Sequence, residues 1–347
     1  VLAGTEKDQK IIEITVEEKP TGEISAGAGV GTEGGSFSFN VSENNWLGKG
    51  KKVSTFVNLN KTTFQGGFTV TDPNYDFSGN SLSYGLTSTT NDKPSSGFKN
   101  KIYSSSVGVG FEQYRNIYIS PGLTLSYDDL KVESTASESL KKQAGEFTDL
   151  AGSYSISLDK RDRTFKPTDG YYSRFSQNIP LISDTYTLTN AYNYKTYNVW
   201  FKENITSFGF HLKSANSLNN ENVKLSDRLY LSASKLRGFE SGKVGPKDGS
   251  NFIGGNYASS VNIASTLPQI LPSLQNTNFS VFFDAGNIWG IDYSSSLADD
   301  SKIRSSVGIA VEFFTPVGPL SFSFSEPITQ GKNDIEEVFR FNLGTTF

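Results

Sequence analysis

The chain is 347 residues long with a formal net charge of −4, and hydrophobic residues make up 35% of it while aromatics reach 13%. That charge argues against a nucleic-acid partner, because phosphate binding needs a basic face. The absence of cysteine removes disulfides and thiolate metal sites, and no run of about 20 apolar residues exists that would cross a membrane as a helix.

Enzyme chemistry finds no foothold in the residues. His211 is the one histidine. A Ser-His-Asp triad would have to form around it, and no nucleophile elbow accompanies it. His211 therefore reads as a polar residue of a lumen or rim, and the chain as a non-enzyme with no cofactor and no metal. Low aliphatic content with many aromatics, Gly, Ser, Thr and Asn suits a barrel with a wet lumen, which needs only one apolar face.

The chain opens Val1-Leu2-Ala3, with no initiator. This reads as the mature C-terminal part of a longer protein. Residues 1–20 differ from the rest. Residues 10–18 predict a charged strand too polar for lipid, ending at Pro20, and 1–20 as a whole read as the tail of a soluble domain ahead of the barrel. From residue 21 to 347 the dominant signal is alternation with period two. It predicts sixteen strands, at 23–31, 35–43, 50–59, 62–71, 80–90, 102–113, 116–127, 148–159, 170–179, 189–201, 203–214, 255–266, 277–287, 302–314, 318–325 and 337–347. In the second of these Phe37, Phe39 and Val41 alternate with Ser36, Ser38, Asn40 and Ser42. Asn60-Lys61 and 113–115 read as turns at one end, and 91–101, 128–147 and 215–254 as long loops at the other. Residues 137–144 read either as a short surface helix or as disordered loop. In 277–287, Phe279, Val281, Phe283 and Ala285 oppose Asn278, Ser280, Phe282, Asp284 and Gly286. Near the end Leu320, Phe322 and Phe324 alternate with serines, and Phe339, Phe341, Leu343, Thr345 and Phe347 share one face.

The same alternation occurs in soluble β-sandwiches and solenoids with one wet face. Three features favour a membrane barrel. The strands are long for a soluble sheet, the chain ends in an alternating aromatic row at Phe347, and Trp46, Trp200 and Trp289 lie near strand ends, where membrane girdles sit. The expected fold is all-β: a 16-stranded antiparallel transmembrane β-barrel with a long loop folded into the lumen.

An ordered set of strings resembles the BamA family of outer-membrane protein assembly factors. Leu236-Arg237-Gly238-Phe239 matches its [Val/Leu]-Arg-Gly-[Phe/Tyr] loop motif, followed by Val244-Gly245-Pro246-Lys247 and Gly254-Gly255-Asn256. Phe282-Phe283-Asp284-Ala285-Gly286 matches its aromatic-x-Asp-x-Gly strand. Asp162-Arg163 with Pro167-Thr168-Asp169-Gly170 resembles a family turn, and Thr315-Pro316-Val317-Gly318 and the terminal Phe341-Asn342-Leu343-Gly344 resemble the closing strands. Glu18-Lys19-Pro20-Thr21-Gly22 and Asn45-Trp46-Leu47-Gly48 resemble the passage from the last POTRA domain into the barrel. The resemblance implies a sixteen-stranded barrel in the bacterial outer membrane with its N-terminal side periplasmic. It implies folding and insertion of unfolded β-barrel clients without ATP. It implies as partners outer-membrane lipids and lipoproteins of the BAM complex, the latter bound mostly through the POTRA region. A two-partner-secretion-type translocation pore of the same superfamily, or a passive porin, remain alternatives.

Two sites stand out. Arg237, flanked by Leu236 and Gly238 in the longest loop, suits a loop folded into the lumen, since a guanidinium stays charged when partly buried. The family pairs this Arg with the barrel wall. Asp284, on the inward parity of its strand with Phe282 and Gly286, is the best candidate partner, with Arg161 and Arg163 as competitors. The alternative is an exposed Arg237 and a solvated Asp284. Glu240 and Asp248 are loop charges without an assigned partner. The second site is the seam between first and last strands. Gly27, Gly29 and Gly31 share one parity, with Ile24, Ala26, Ala28 and Val30 outward, and Phe341, Leu343, Gly344 and Phe347 oppose them. The glycines fit either an openable lateral gate or ordinary close packing beneath bulky lumen residues. The resemblance favours the gate.

Overall fold

Sixteen antiparallel strands close into one barrel in the computed structural model, which describes residues 2–3, 10–201, 204–268, 277–294, 297, 301–315 and 318–344. The first eight strands are β1 (Gly22–Gly31), β2 (Gly34–Trp46), β3 (Lys51–Asn60), β4 (Thr63–Asp72), β5 (Ser81–Lys93), β6 (Phe98–Tyr114), β7 (Ile117–Val132) and β8 (Gly145–Asp159). The rest are β9 (Gly170–Ser183), β10 (Thr187–Phe201), β11 (Asn204–Ser217), β12 (Tyr257–Thr266), β13 (Thr277–Trp289), β14 (Arg304–Thr315), β15 (Gly318–Thr329) and β16 (Phe339–Gly344). Each strand pairs with its sequence neighbours, and β16 returns to β1. Closure is what lets a sheet satisfy its backbone groups in hydrocarbon. The expected all-β, sixteen-stranded barrel is the observed one.

Alternation sets the two faces. On β1, Ile24, Ala26, Ala28 and Val30 point outward and exposed, while Ser25, Gly27, Gly29 and Gly31 point to the lumen. Phe37 and Phe39 continue the outward row on β2, facing Ala28 and Ala26. Inward positions carry Ser, Asn, Gly and Asp, so one face reads apolar and the other polar.

Four expectations need correction. The Asn60-Lys61 turn and the 113–115 turn lie at opposite ends, because they follow β3 and β6 and chain direction reverses with every strand. Asn60-Lys61 shares its end with the long loops. Second, two of those loops are shorter than alternation suggested, while the third, expected at 215–254, spans 218–256. β5 to β7 run on to Lys93, Phe98 and Val132, leaving 94–97 and 133–144. There the ladder continues with charged side chains, such as Lys99 on Asp92 at 2.8 Å, so hydrophobic alternation fades while the hydrogen bonding does not. Third, residues 10–18 do not form a strand along their length: Lys10–Ile11 pairs with Leu2–Ala3, and 12–21 follow without a ladder.

Residues 137–144 do contain a single helical turn, Glu138–Lys141, whose N-cap Ser137 accepts a bond from the Leu140 amide at 3.2 Å. Fourth, the expected last strand at 337–347 begins at Phe339 instead. Glu336–Glu337 pairs with the loop residues Gly238–Phe239. The core sits where loops meet the barrel wall. One cluster joins Phe98, Leu130, Ala136, Leu140, Leu225 and Ile253. Another joins Leu231, Leu236, Phe239, Val244, Ala258 and Ile288. Burying each such large side chain contributes roughly 1.5–3 kcal/mol, which offsets the entropy of ordering so long a loop.

Candidate functional site

The loop between β11 and β12 is fastened inside the barrel by buried charges. Lys224, with a side chain 3% exposed, sits among Asp128 at 3.1 Å, Asp149 at 3.5 Å and Asp227 at 3.8 Å. Burial pushes the Asp227 carboxyl up to about 6, with Lys224 opposing. Arg228, fully buried, pairs with Asp292, whose other oxygen accepts the Val223 amide and the Asn256 side chain, both at 2.8 Å. Asp248 accepts from Ser137 at 2.6 Å and from Tyr293 at 2.9 Å, tying the loop tip to the neighbouring loop.

The Leu236–Phe239 tetrad packs against β13 and β14. Arg237 Nε donates to Asp284 Oδ2 at 2.7 Å and Nη2 to Oδ1 at 2.8 Å, a bidentate pair. The Arg237 amide adds a bond at 3.1 Å, and Asn262 donates to Oδ1 at 2.8 Å. Asp284 is fully buried, and the guanidinium lies 3.5 Å above the Phe282 ring. Phe282 itself fills the space over Gly308. Gly238 has φ +91°, and a Cβ there would lie 3.0 Å from Ser306 Cβ, so glycine serves both the turn and the close approach. At Gly286 a Cβ would lie 3.1 Å from Leu231 Cδ1, so that glycine lets the loop seat on the wall. Leu236 and Phe239 are each 1% exposed.

At the seam, the described ladder pairs Asn342 with Gly31, Leu343 with Val30 and Gly344 with Gly29. On its other edge β1 is paired to β2 along its whole length, from Gly22–Glu43 to Gly31–Gly34. Gly344 has φ +139°, and a Cβ there would lie 2.5 Å from Gly29 Cα. At Gly31 a Cβ would lie 2.7 Å from Phe341 O. Gly27 faces Ser38 of β2 and has no seam partner among the described residues. Phe347 lies outside the described residues. Outside the barrel, Phe339 packs with Phe324 at 4.9 Å, Phe322 at 6.2 Å and Phe341 at 6.4 Å.

The structure brings Arg237, Asp284 and Phe282 together and leaves Arg161 and Arg163 elsewhere. Arg161 pairs with its near neighbour Asp159 at 2.6 Å, and Arg163 bonds the Lys166 carbonyl at 2.8 Å, so neither competes for the lumen acids. Glu240 pairs with Lys243, three residues on. His211 bonds Asn193 on β10 at 2.5 Å. Lys224, Arg228 and the Arg304–Asp334 pair, each partner of which is 1% exposed at its side chain, escaped sequence reasoning. Nothing in spacing links residues that meet only across the folded lumen.

Comparison with known proteins fits this geometry. BamA from Neorickettsia risticii is 25% identical over 97% of this chain, and BamA from Neisseria meningitidis is 26% identical over all of it. The chain spans about half the length of these relatives, 46% and 49%. The crystal structure of BamA from Haemophilus ducreyi lacking POTRA domains 1–3 superposes with a TM-score of 0.86 at 26% identity, over 95% of this chain and 71% of that one. The Omp85 superfamily domain matches residues 45–347. A closed sixteen-stranded barrel with this match places the chain in the outer membrane, and it belongs to the Omp85 superfamily.

Proposed function

We propose that this barrel folds and inserts β-barrel clients into the bacterial outer membrane, using the seam between β1 and β16 as a template edge. The observation that carries the reading is the glycine-lined seam, whose ladder among the described residues pairs Gly29 with Gly344, Val30 with Leu343 and Gly31 with Asn342. Backbone groups left unpaired in hydrocarbon cost several kcal/mol each, so the seam stays shut unless another strand takes over its bonds. A client strand adding to the exposed edge replaces them as they break. The exchange is then nearly balanced and needs no ATP. The mostly small outward residues Ile24, Ala26, Ala28 and Val30 present a thin apolar band that favours local bilayer thinning.

The partners in this reading are unfolded β-barrel proteins, outer-membrane lipids and, through upstream POTRA domains, the BAM lipoproteins. Residues 1–20 are the tail of the last such domain. A passive porin fits less well, since the 218–256 loop is anchored to lumen-facing Asp284 and Ser306.

The test uses the absence of native cysteine. Val30→Cys with Leu343→Cys places thiols at facing seam positions. In lipid vesicles the oxidised pair should abolish acceleration of client folding, and reduction should restore it. Equal acceleration by the locked and reduced barrels would rule out strand exchange at the seam.

A further inference from the structure

Arg340 stands at a junction that neither site explains. It lies on the lumen parity of β16, two residues before the first seam pair, Asn342 with Gly31. Its Nη2 forms an ion pair with Glu33 Oε1 at 2.6 Å, in the β1–β2 turn. Its Nη1 donates to Glu337 Oε2 at 3.0 Å. Between these ion pairs and the ladder, the Thr32 amide donates to the Phe341 carbonyl at 3.1 Å, and the Phe341 amide to the Thr32 hydroxyl at 2.9 Å. At its loop-side end, then, the seam is held by Thr32 and by the Arg340 guanidinium.

The other arm of the clasp reaches the lumen loop. Glu337 is ladder partner of Gly238, and Glu336 of Phe239. The pairing continues as the Glu240 amide donates to the Ile335 carbonyl at 2.9 Å and the Ile335 amide to the Lys243 carbonyl at 3.1 Å. Residues 335–337 are thus an extension of β16 held in place by the Leu236–Phe239 tetrad, which Arg237 anchors to Asp284. Burial pushes Glu337 up, and Glu33 and Glu240 add to that, with Arg340 as the opposing charge. One guanidinium therefore serves two carboxylates on opposite sides of the seam.

We propose that Arg340 is a positioning residue that couples the lumen loop to the seam: through Glu337 and Glu33 it transmits the seating of the Leu236–Phe239 tetrad to the loop-side end of the β1–β16 pairing. The coupling rests on the reading of that seam as the working edge. A plain surface ion pair would be worth little; the distinguishing property is that the loop and the seam lose protection together.

The test is hydrogen exchange by mass spectrometry on the full chain in phospholipid nanodiscs without any client, read on seam peptides covering 28–33 and 339–344 and on a loop peptide covering 236–243. Arg340→Ala should speed exchange there roughly tenfold, and Arg237→Ala should speed the same peptides from a distance. In the double variant the two effects should not add, because the second change has no path left to act through. Glu33→Gln, at a half-exposed site that tolerates change, should loosen the seam and leave the loop's protection intact. Reversing the triad with Glu33→Arg, Arg340→Glu and Glu337→Arg should restore both slow exchange and its sensitivity to Arg237→Ala. Unchanged exchange in Arg340→Ala, or additive effects with Arg237→Ala, would overturn the coupling. A barrel that shows the coupling but fails to accelerate client folding would refute the proposed function and leave the coupling standing.

Discussion

Replacing Arg237 with alanine tests the anchoring of the lumen loop. Asp284 is fully buried and accepts four bonds: two from the guanidinium, one from the Arg237 amide and one from Asn262. Alanine removes the first two and the stacking on Phe282 while sparing the others. Stranding a buried charge costs about 3–5 kcal/mol, and the two surviving donors place this case near the lower end, about 3 kcal/mol. If the local opening equilibrium shifts by that amount, the opened population rises roughly 10²-fold. Phe239 is 1% exposed and lies in the segment that would be released, so chymotrypsin cleavage there in the folded barrel should accelerate by about that factor. Arg237→Lys keeps the charge but loses the fork and should fall between. Cleavage of Arg237→Ala at the wild-type rate would show that the ion pair does not hold the loop.

Two further outcomes follow from the geometry. Gly344→Ala puts a Cβ 2.5 Å from Gly29 Cα at φ +139°, where both contact and backbone resist. It should weaken the barrel by about 1–3 kcal/mol, read as a lower temperature for loss of the fast-migrating unheated band on a gel, whereas Gly35→Ala, with its nearest atom 4.0 Å away, should leave that temperature unchanged. Asp227, pushed up to about 6 by burial, binds its proton more tightly folded than unfolded. Its ionisation therefore opposes the folded loop above that pH, and loop stability should rise as pH falls from 7 towards 4. With the side chain 30% exposed, the gain is of order 1 kcal/mol after screening, measured as protease resistance of the loop, and Asp227→Asn should flatten the profile.

Barrel topology was legible because it is written in a period of two. Rows such as Phe37, Phe39, Val41 and Phe279, Val281, Phe283 specify which face meets lipid, and register cannot slip by one residue without inverting them. Strand ends were less legible. Beyond the apolar band the ladder of β5–β7 is carried by Lys99, Asp92 and their like, which also read as loop. The end at which the Asn60-Lys61 turn lies follows from counting strands, since chain direction reverses with each one. At the lumen site, the parity of Asp284 and the flanked Arg237 could be read in advance, because both follow from local pattern and family motif. Lys224, Arg228 and Arg304 could not. Apart from Asp227, three residues from Lys224, the acidic partners Asp334, Asp292 and Asp128 lie from 30 to 96 residues away in sequence, and only the folded lumen brings them together.

The two sides of the seam are built differently, and that bears on which strand would be the template in the proposed exchange. On the β16 side Phe339 touches Phe322, Phe324 and Phe341, and Phe322 meets Phe313 edge-on at 6.2 Å, so β14, β15 and β16 share an outer aromatic cluster. Such pairs contribute about 0.5–1.5 kcal/mol each beyond area burial. On the β1 side the outward residues are Ile24, Ala26, Ala28 and Val30, with no ring among them. β1 depends on its backbone ladder to β2, on the Phe37 and Phe39 side chains facing Ala28 and Ala26, and on lipid contact. When the seam parts, β16 stays stiffened by its neighbours' rings while β1 keeps a complete ladder on one edge and a bare one on the other. Under the proposed strand exchange, a regular edge whose lumen positions are glycines would put little steric demand on an incoming strand, which would make β1 the better template and β16 the better gatepost.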